Sequence, residues 1–479
     1  MRYAARGAFG AGRRTGAWLL IGLFSLTVGC EYVRPTLNAP LKRWDLTYGY
    51  RFTNFPAAET GSSDGLFIIA SFSGGGARAA ALSYGVLREL ARTPITWEGR
   101  NERLVDGLNL INALSGGSFT AAYYALYGDR IFHDFEYRFL RKDWESELKW
   151  RVFWSPHNWF RLWSPYFGRA HIFAELLDEA LFDGHTFGDL VERHRRPLIF
   201  VHASDMATLA RFEFNQRQFD LICSDLSQLP LSIATASSSA LPLILSPIAM
   251  KNYSGQCDFH PPGRFITMNQ TSWGRHRQKE LLTYLDAEKR PYIHLLDGGL
   301  SDNIGMRSML ETAALTGDLE SFFNLLGVKN VRKLVYLLVS AETSPDLSQY
   351  LVNDIPGLSR VSHALIDIPI NRYSADTLQL LRQGVEQWKV ELSRRQSVEN
   401  SAFTPDADIY FINASLTELE DPHEMEYLMN IPTNLSLTDQ QLDRLLLAAT
   451  RLIRNDKDFQ RLMQDIEKDA APTPSQSAR

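Results

Sequence analysis

The sequence predicts an α/β protein, a three-layer sandwich whose mainly parallel central sheet is covered by helices on both faces. Predominantly apolar runs recur at 66–70, 108–113, 197–201, 292–296 and 334–339. Such runs mark strands buried on both faces, whereas a strand with one wet face alternates. Stretches with helical spacing separate several of them, as in successive βαβ units. Three runs end in short glycine-rich segments: Ser73-Gly74-Gly75-Gly76-Ala77-Arg78, Ala113-Leu114-Ser115-Gly116-Gly117 and Asp297-Gly298-Gly299. Ligands of such sheets bind beyond the carboxyl ends of the strands, where these segments fall.

The elements follow in order. The run at 66–70 leads through its glycines to a helix over 79–90, and 108–113 leads to one over 120–127. After 334–339 comes another strand at 409–412. Thr438 and Gln441 then form a capping box. Behind it Leu442, Leu445, Leu446, Ala449, Leu452 and Ile453 make one apolar stripe at helical spacing, read as core. Residues 63–340 read as the catalytic domain and 341–469 as a C-terminal α/β extension packed on it, without chemistry of its own. Residues 30–62 read as a polar tether punctuated by Pro and Gly, and 470–479 as a disordered tail.

The first 29 residues read as a targeting segment. Arg2, Arg6, Arg13 and Arg14 form a basic start with no acid, an apolar stretch spans 17–28, and Gly29-Cys30 follows. That stretch is short for a spanning helix, which needs roughly 20 apolar residues. Leu26-Thr27-Val28-Gly29-Cys30 resembles a bacterial lipoprotein cleavage box with Thr27 in place of the usual leucine. It implies a lipidated Cys30 and a membrane-anchored protein of the bacterial cell envelope, at the outer membrane or periplasmic face. A plain secretory signal and an uncleaved anchor are the other readings. Removing 1–29 takes the formal charge from −5 to −9. An acidic body argues against nucleic acid and against purely electrostatic docking on anionic lipid. Cys223 and Cys257 form either one disulfide or two free thiols. Without CxxC or His-rich spacing no metal site is expected, and no cofactor is implied.

The glycine segments carry the chemistry. Ser115 lies between strand and helix, with Ala113 two before it and Gly117 two after, the small neighbours that a sharp nucleophile elbow needs. Alone, Ser-Gly-Gly-Ser is equally a loop. Gly74, Gly75 and Gly76 precede a helix and let backbone N–H groups approach a developing negative charge. Gly74-x-Gly76 could also open a dinucleotide site, but Ala79 stands at the third glycine position and Arg78 intrudes. Asp297 at a buried strand end loses solvation, which raises its pKa and makes it a stronger base. Its other reading is a structural turn residue.

Gly74–Arg78, Ser115, Asp297–Gly299 and the segment Ala236-Ser237-Ser238-Ser239-Ala240-Leu241-Pro242 together resemble the patatin-like family of lipid acyl hydrolases over residues 66 to 339. The resemblance implies a Ser-Asp dyad, with Ser115 as nucleophile and Asp297 as base. The backbone at Gly74, Gly75 and Gly76 would form the oxyanion hole with Arg78 supporting it. Ala113, Gly117, Gly298 and Gly299 would support elbow and base, and 236–242 would lie beside the acyl pocket. The implied substrates are fatty-acyl esters of (lyso)phospholipids or related lipids, without metal or cofactor. Ala79 and Ala113 stand where the family has glycine. Three other readings use the same residues differently. An α/β-hydrolase would take His363 or His423 as base. An inactive lipid- or partner-binding lipoprotein would keep the loops as scaffold. An acyltransferase would share the acyl-enzyme.

Half of the ten tryptophans, Trp144, Trp150, Trp154, Trp159 and Trp163, lie within twenty residues. Phe153, Phe160, Tyr166 and Phe167 accompany them, with Lys149, Arg151 and Arg161 interspersed. Tryptophan favours the headgroup zone of a bilayer. Residues 144–167 are thus read as a lid or lipid interface carried by Trp150, Trp154, Trp159 and Trp163, or else as an aromatic satellite core.

Overall fold

The computed structural model describes residues 32–262, 272–344, 353, 355–394 and 401–470. The expected targeting segment 1–29, Cys30 and the tail residues 471–479 lie outside them. Among the described residues no helix is long and apolar enough to cross a membrane.

Among the described residues ten strands form: β1 (Leu66–Phe72), β2 (Pro94–Trp97), β3 (Arg100–Arg103), β4 (Leu108–Leu114), β5 (Leu198–Asp205), β6 (Arg211–Phe214), β7 (Ile248–Lys251), β8 (Tyr292–Leu296), β9 (Val331–Ser340) and β10 (Phe403–Ser415). The central sheet has the order β10-β9-β1-β4-β5-β8-β7, with β6 also paired to β5, while β2 and β3 make a separate hairpin. From β10 to β5 all pairing is parallel. All seven residues of β1 and all seven of β4 are buried, the polar Ser71, Asn109 and Asn112 with them. Helices cover both faces. Tyr336 of β9 meets Trp388 of the helix Leu358–Ser393 on one side. Tyr410, whose neighbour Phe411 is in register with Tyr336, reaches Asp465 of the helix Lys457–Ala470 on the other.

Helix α1 (Gly76–Ala91) follows β1, and α2 (Gly116–Tyr127) follows β4. Both begin three to four residues before the expected starts at 79 and 120, because the glycines themselves form the first turn. Later come α3 (Trp144–Phe153), α4 (Pro156–Leu162), α5 (Leu231–Ser238) and α6 (Asp439–Asn455). The Thr438–Gln441 capping box forms, and every residue of the α6 stripe is buried. Gly85 lets α6 lie directly on α1: a Cβ there would stand 2.6 Å from that of Ala449.

Three features depart from the sequence reading. Strand β8 runs antiparallel to β5, the two meeting only through Ser204–Leu296 and Asp205–Leu295. Strand β8 therefore enters the sheet against the direction of β5, which the short run Tyr292–Leu296 does not encode. Residues 32–62 are docked rather than a free tether. Tyr50, Phe52 and Phe55 are buried, Ile199 N–H donates to Tyr50 Oη, and Arg51 forms a buried ion pair with Asp220 at 2.6 Å. The polar average of that stretch conceals three aromatic anchors. The C-terminal extension joins the sheet through β10, so β9 is an interior strand. Cys223 and Cys257 are joined as a disulfide.

Candidate active site

The parallel strands β1 and β4 are in register, with Phe72 opposite Ala113, so the two glycine segments emerge side by side. Ala113 is fully buried within β4. At the end of β4, Ser115 adopts φ 45° and ψ −129°, a conformation few non-glycine residues occupy. Three contacts hold it there. Its N–H donates to Ser238 Oγ at 2.8 Å, and Ser238 Oγ in turn donates to the His202 carbonyl at 2.6 Å. Its Oγ donates to Asp297 Oδ2 at 3.0 Å. The turn also requires that Gly116 lack a side chain, since a Cβ there would lie 1.9 Å from the Gly76 carbonyl oxygen. Gly117 continues the first turn of α2 against the carbonyls of Phe72 and Ser73.

Asp297 reaches Ser115 because antiparallel pairing with the end of β5 brings the end of β8 close to the end of β4. Its N–H donates to the Ala240 carbonyl at 3.0 Å, and Gly298 N–H donates to the Ser238 carbonyl at 2.9 Å. Gly298 lies against the His202 carbonyl, and Gly299 N–H donates to Asp297 Oδ1 at 2.8 Å. Burial pushes the Asp297 carboxyl up to about 6, against the lowering pull of the Gly299 N–H and the Ser115 hydroxyl. One carboxylate oxygen is thus oriented by the backbone while the other faces the serine.

The first glycine loop closes the site from the other side. Gly75 has φ 135° and Gly76 has φ 57°, both left-handed, and α1 starts there with no side-chain cap. The start of the helix and the positive end of its dipole lie where Gly76 abuts Gly116. Gly74 N–H donates to the Asn303 carbonyl at 3.3 Å. Arg78 is buried and points away from Ser115. Its guanidinium donates to the carbonyls of Ile431 and Ala341 and to Thr433 Oγ at 3.3 Å, and burial lowers its pKa to about 10. Ala77 N–H donates to the Asn434 carbonyl at 2.7 Å. Residues 431–434, from the region read as free of chemistry, therefore wall the glycine loop.

The geometry adds Gly116, Ser238, Asn303 and Asn434 to the site. Gly116 and Ser238 sit inside motifs already visible in sequence, whereas Asn434 has no local signal. No histidine contacts Ser115 Oγ among the described residues. His423 is exposed on the helix Pro422–Met429, and the His363 side chain lies outside the described residues.

In the aromatic segment Phe167 is buried and Trp144 packs against the main core, as the satellite-core reading expects, while the other rings turn outward. A small core of Val152, Phe167 and Ile172, flanked by Leu148 and Leu162, holds α3 and α4 to the body. Trp150, Trp154, Trp159 and Trp163 are exposed, Trp163 to 82% and Trp154 to 71%.

A family model described as patatin-like phospholipase matches residues 70–310. No curated protein sequence matches the chain significantly. Among solved structures, human GIVD cytosolic phospholipase A2 superposes with a TM-score of 0.41 at 13% identity, covering 85% of this chain and 63% of that one. The same human enzyme in complex with methyl gamma-linolenyl fluorophosphonate gives 0.40 at 12% identity, covering 85% and 60%. VipD from Legionella pneumophila gives 0.29 at 11% identity, covering 93% and 73%. The chain thus spans less than two thirds of the length of the phospholipase A2 chains it resembles.

Proposed function

Because the chain belongs to the patatin-like phospholipase family, we propose that it is a serine acyl hydrolase acting on fatty-acyl esters of (lyso)phospholipids or related lipids. The observation that carries this is the Ser115 Oγ–Asp297 Oδ2 hydrogen bond of 3.0 Å, made by a buried carboxylate beside a helix N-terminus that has no side-chain cap.

Asp297 accepts the hydroxyl proton as Ser115 Oγ attacks the ester carbonyl carbon. Negative charge gathers on the carbonyl oxygen, and the Gly75 and Gly76 N–H groups at the start of α1 stabilise it. The tetrahedral adduct expels the alcohol, which takes up the proton held by Asp297, and leaves Ser115 acylated. Water, deprotonated by the same carboxylate, then releases the fatty acid. Asp297 Oδ1, fixed by the Gly299 N–H, keeps Oδ2 aimed at the nucleophile through both half-reactions. Arg78 acts on this chemistry only by holding the loop that presents the amides.

The reading extends to location. The Cys30 box supports a lipid-anchored protein of the bacterial envelope, and the Cys223–Cys257 disulfide suits an oxidising compartment.

Fluorophosphonate labelling tests the centre. The expected result is covalent labelling of the wild type, none in Ser115→Ala, and fatty-acid release lost in both Ser115→Ala and Asp297→Ala. Labelling that persists in Ser115→Ala, or turnover that survives Asp297→Ala, overturns the dyad.

A further inference from the structure

We propose that the outward aromatic face of residues 144–167 is a bilayer-docking surface and that the N-terminal segment leaves the body within it. Anchor and rings would then enter one leaflet together. The proposal rests on the acyl-hydrolase reading only for what docking achieves, not for docking itself.

The first argument is an inversion of the usual order. In α3 and α4 the aliphatic residues Leu148, Val152 and Leu162 pack inward, while Trp150, Phe153, Trp154, Trp159, Phe160 and Trp163 stay in solvent. Large rings are ordinarily among the first side chains to be buried, and a contiguous exposed group of them marks a surface awaiting an apolar partner. Tryptophan is the ring best suited to a headgroup boundary.

The second argument is where the chain goes. Tyr32 packs edge-on against Tyr166 at 6.5 Å, the Arg34 guanidinium lies 4.5 Å from the same ring, and Ser164 Oγ donates to the Val33 carbonyl at 2.5 Å. Cys30 precedes Tyr32 by two residues, a reach of about 7 Å along the backbone. An acyl group on Cys30 would therefore start at the edge of the aromatic face. One acyl chain holds a protein on a membrane only marginally, and a second apolar contact in the same plane makes the attachment stable.

The third argument selects the kind of membrane. The cations among the rings are already paired: Lys149 with Glu145, Arg151 with Glu147 and Glu179, and Arg161 with Glu175. Arg34 over the Tyr166 ring and Arg169 on the Leu243 carbonyl are cations left at the edge of that face among the described residues, and the body carries net negative charge. Docking therefore works by ring insertion, and zwitterionic lipid suffices.

The segment is also tied to both walls of the active site. At its start Glu145 N–H donates to Ser436 Oγ at 3.0 Å, two residues beyond Asn434 at the glycine loop. At its end Arg169 donates to the Leu243 carbonyl at 2.7 Å and Ala170 N–H to Ser246 Oγ at 3.2 Å, just beyond Ala240. Leu243 and Ile244 are themselves exposed, and Leu243 is held at a left-handed φ of 73°. The apolar face thus continues to within a few residues of the Asp297 support.

The test uses the full chain carrying Ser115→Ala, so that no lipid is consumed. It is mixed with phosphatidylcholine vesicles containing phosphatidylcholine brominated on its acyl chains. Quenching of tryptophan fluorescence is expected, unchanged at about 0.5 M salt, where surface electrostatics is largely screened. In Trp154→Ser/Trp159→Ser/Trp163→Ser, vesicle affinity is expected to fall at least roughly tenfold with an unchanged melting temperature. Trp163→Ser alone should give a smaller loss in the same direction. Three outcomes overturn the proposal: affinity retained in the triple variant, binding confined to anionic vesicles and abolished by salt, or an unquenched wild type whose rings are covered by a second copy in sedimentation. Failure of the hydrolase reading would appear separately, as absent fatty-acid release by the wild type on vesicles to which it docks.

Discussion

The Ser115–Asp297 pair and the aromatic face are built by opposite rules. Around Ser115 and Asp297 polar atoms are withdrawn from water and given specific partners, down to a serine that serves only to hold another serine's N–H. On α3 and α4 apolar rings stand in water and nothing covers them. The first region uses folding energy to hold groups in costly states: a non-glycine residue at positive φ and a carboxyl raised to about 6. The second holds back hydrophobic surface that folding could have used. Both are local departures from what stability alone would favour. A site is thus as visible in what a protein declines to bury as in what it buries at a penalty.

Substitutions should divide along that line, and the largest effect belongs to the base. Asp297→Asn should lower turnover on the order of 10⁴-fold or more, since it removes the proton acceptor. Next comes Gly76→Ala, whose Cβ would lie 2.2 Å from the Asn434 carbonyl oxygen at φ 57°. It should cost on the order of 10²–10³ in rate by displacing the oxyanion loop, together with a drop in melting temperature. Below that comes pH. The base must be ionised, so kcat/KM in the wild type should rise with pH through an apparent pKa near 6 and fall about tenfold per unit below it.

Smaller again is a gain in stability. A carboxyl whose pKa is higher folded than unfolded binds its proton better in the native state, so it costs stability as pH rises between about 4 and 6. Asp297→Asn should therefore be more stable than wild type at pH 7, by about 1–2 kcal/mol in denaturant unfolding. At the bottom, Trp163→Ser should change unfolding free energy by less than about 0.5 kcal/mol, because its ring makes little of the fold. A large destabilisation there, or none of the expected gain at Asp297, would erase the contrast between the regions.

What was legible in sequence was local. A buried strand, a glycine turn and a helix are encoded within a dozen residues, so Ser115, Asp297 and the first glycine loop could be found, and the parallel half of the sheet with them. The direction of β8 is set by pairing with β5 and β7 and leaves no trace in Tyr292–Leu296. Asn434 touches the glycine loop from more than 350 residues away, and composition concealed the anchors at Tyr50, Phe52 and Phe55. The facing of the tryptophans was within reach. The aromatic helix Ile131–Leu140 buries Ile131, Phe135 and Phe139 at fourfold spacing. In α3 that inward spacing belongs to Leu148 and Val152, which leaves Trp150, Phe153 and Trp154 to the outside.

The stitch between Arg78 and residues 431–433 has a consequence for biosynthesis. The guanidinium is buried against three oxygen acceptors, two of which, on Ile431 and Thr433, emerge from the ribosome some 350 residues after Arg78 itself. Until they arrive, the arginine has lost water without gaining partners, a state the chain avoids by leaving the loop unformed. A nascent or prematurely terminated chain can carry both the serine and the aspartate and still lack an assembled oxyanion loop. Order of synthesis thereby sets when the glycine loop can close: only after residues 431–433 have left the ribosome.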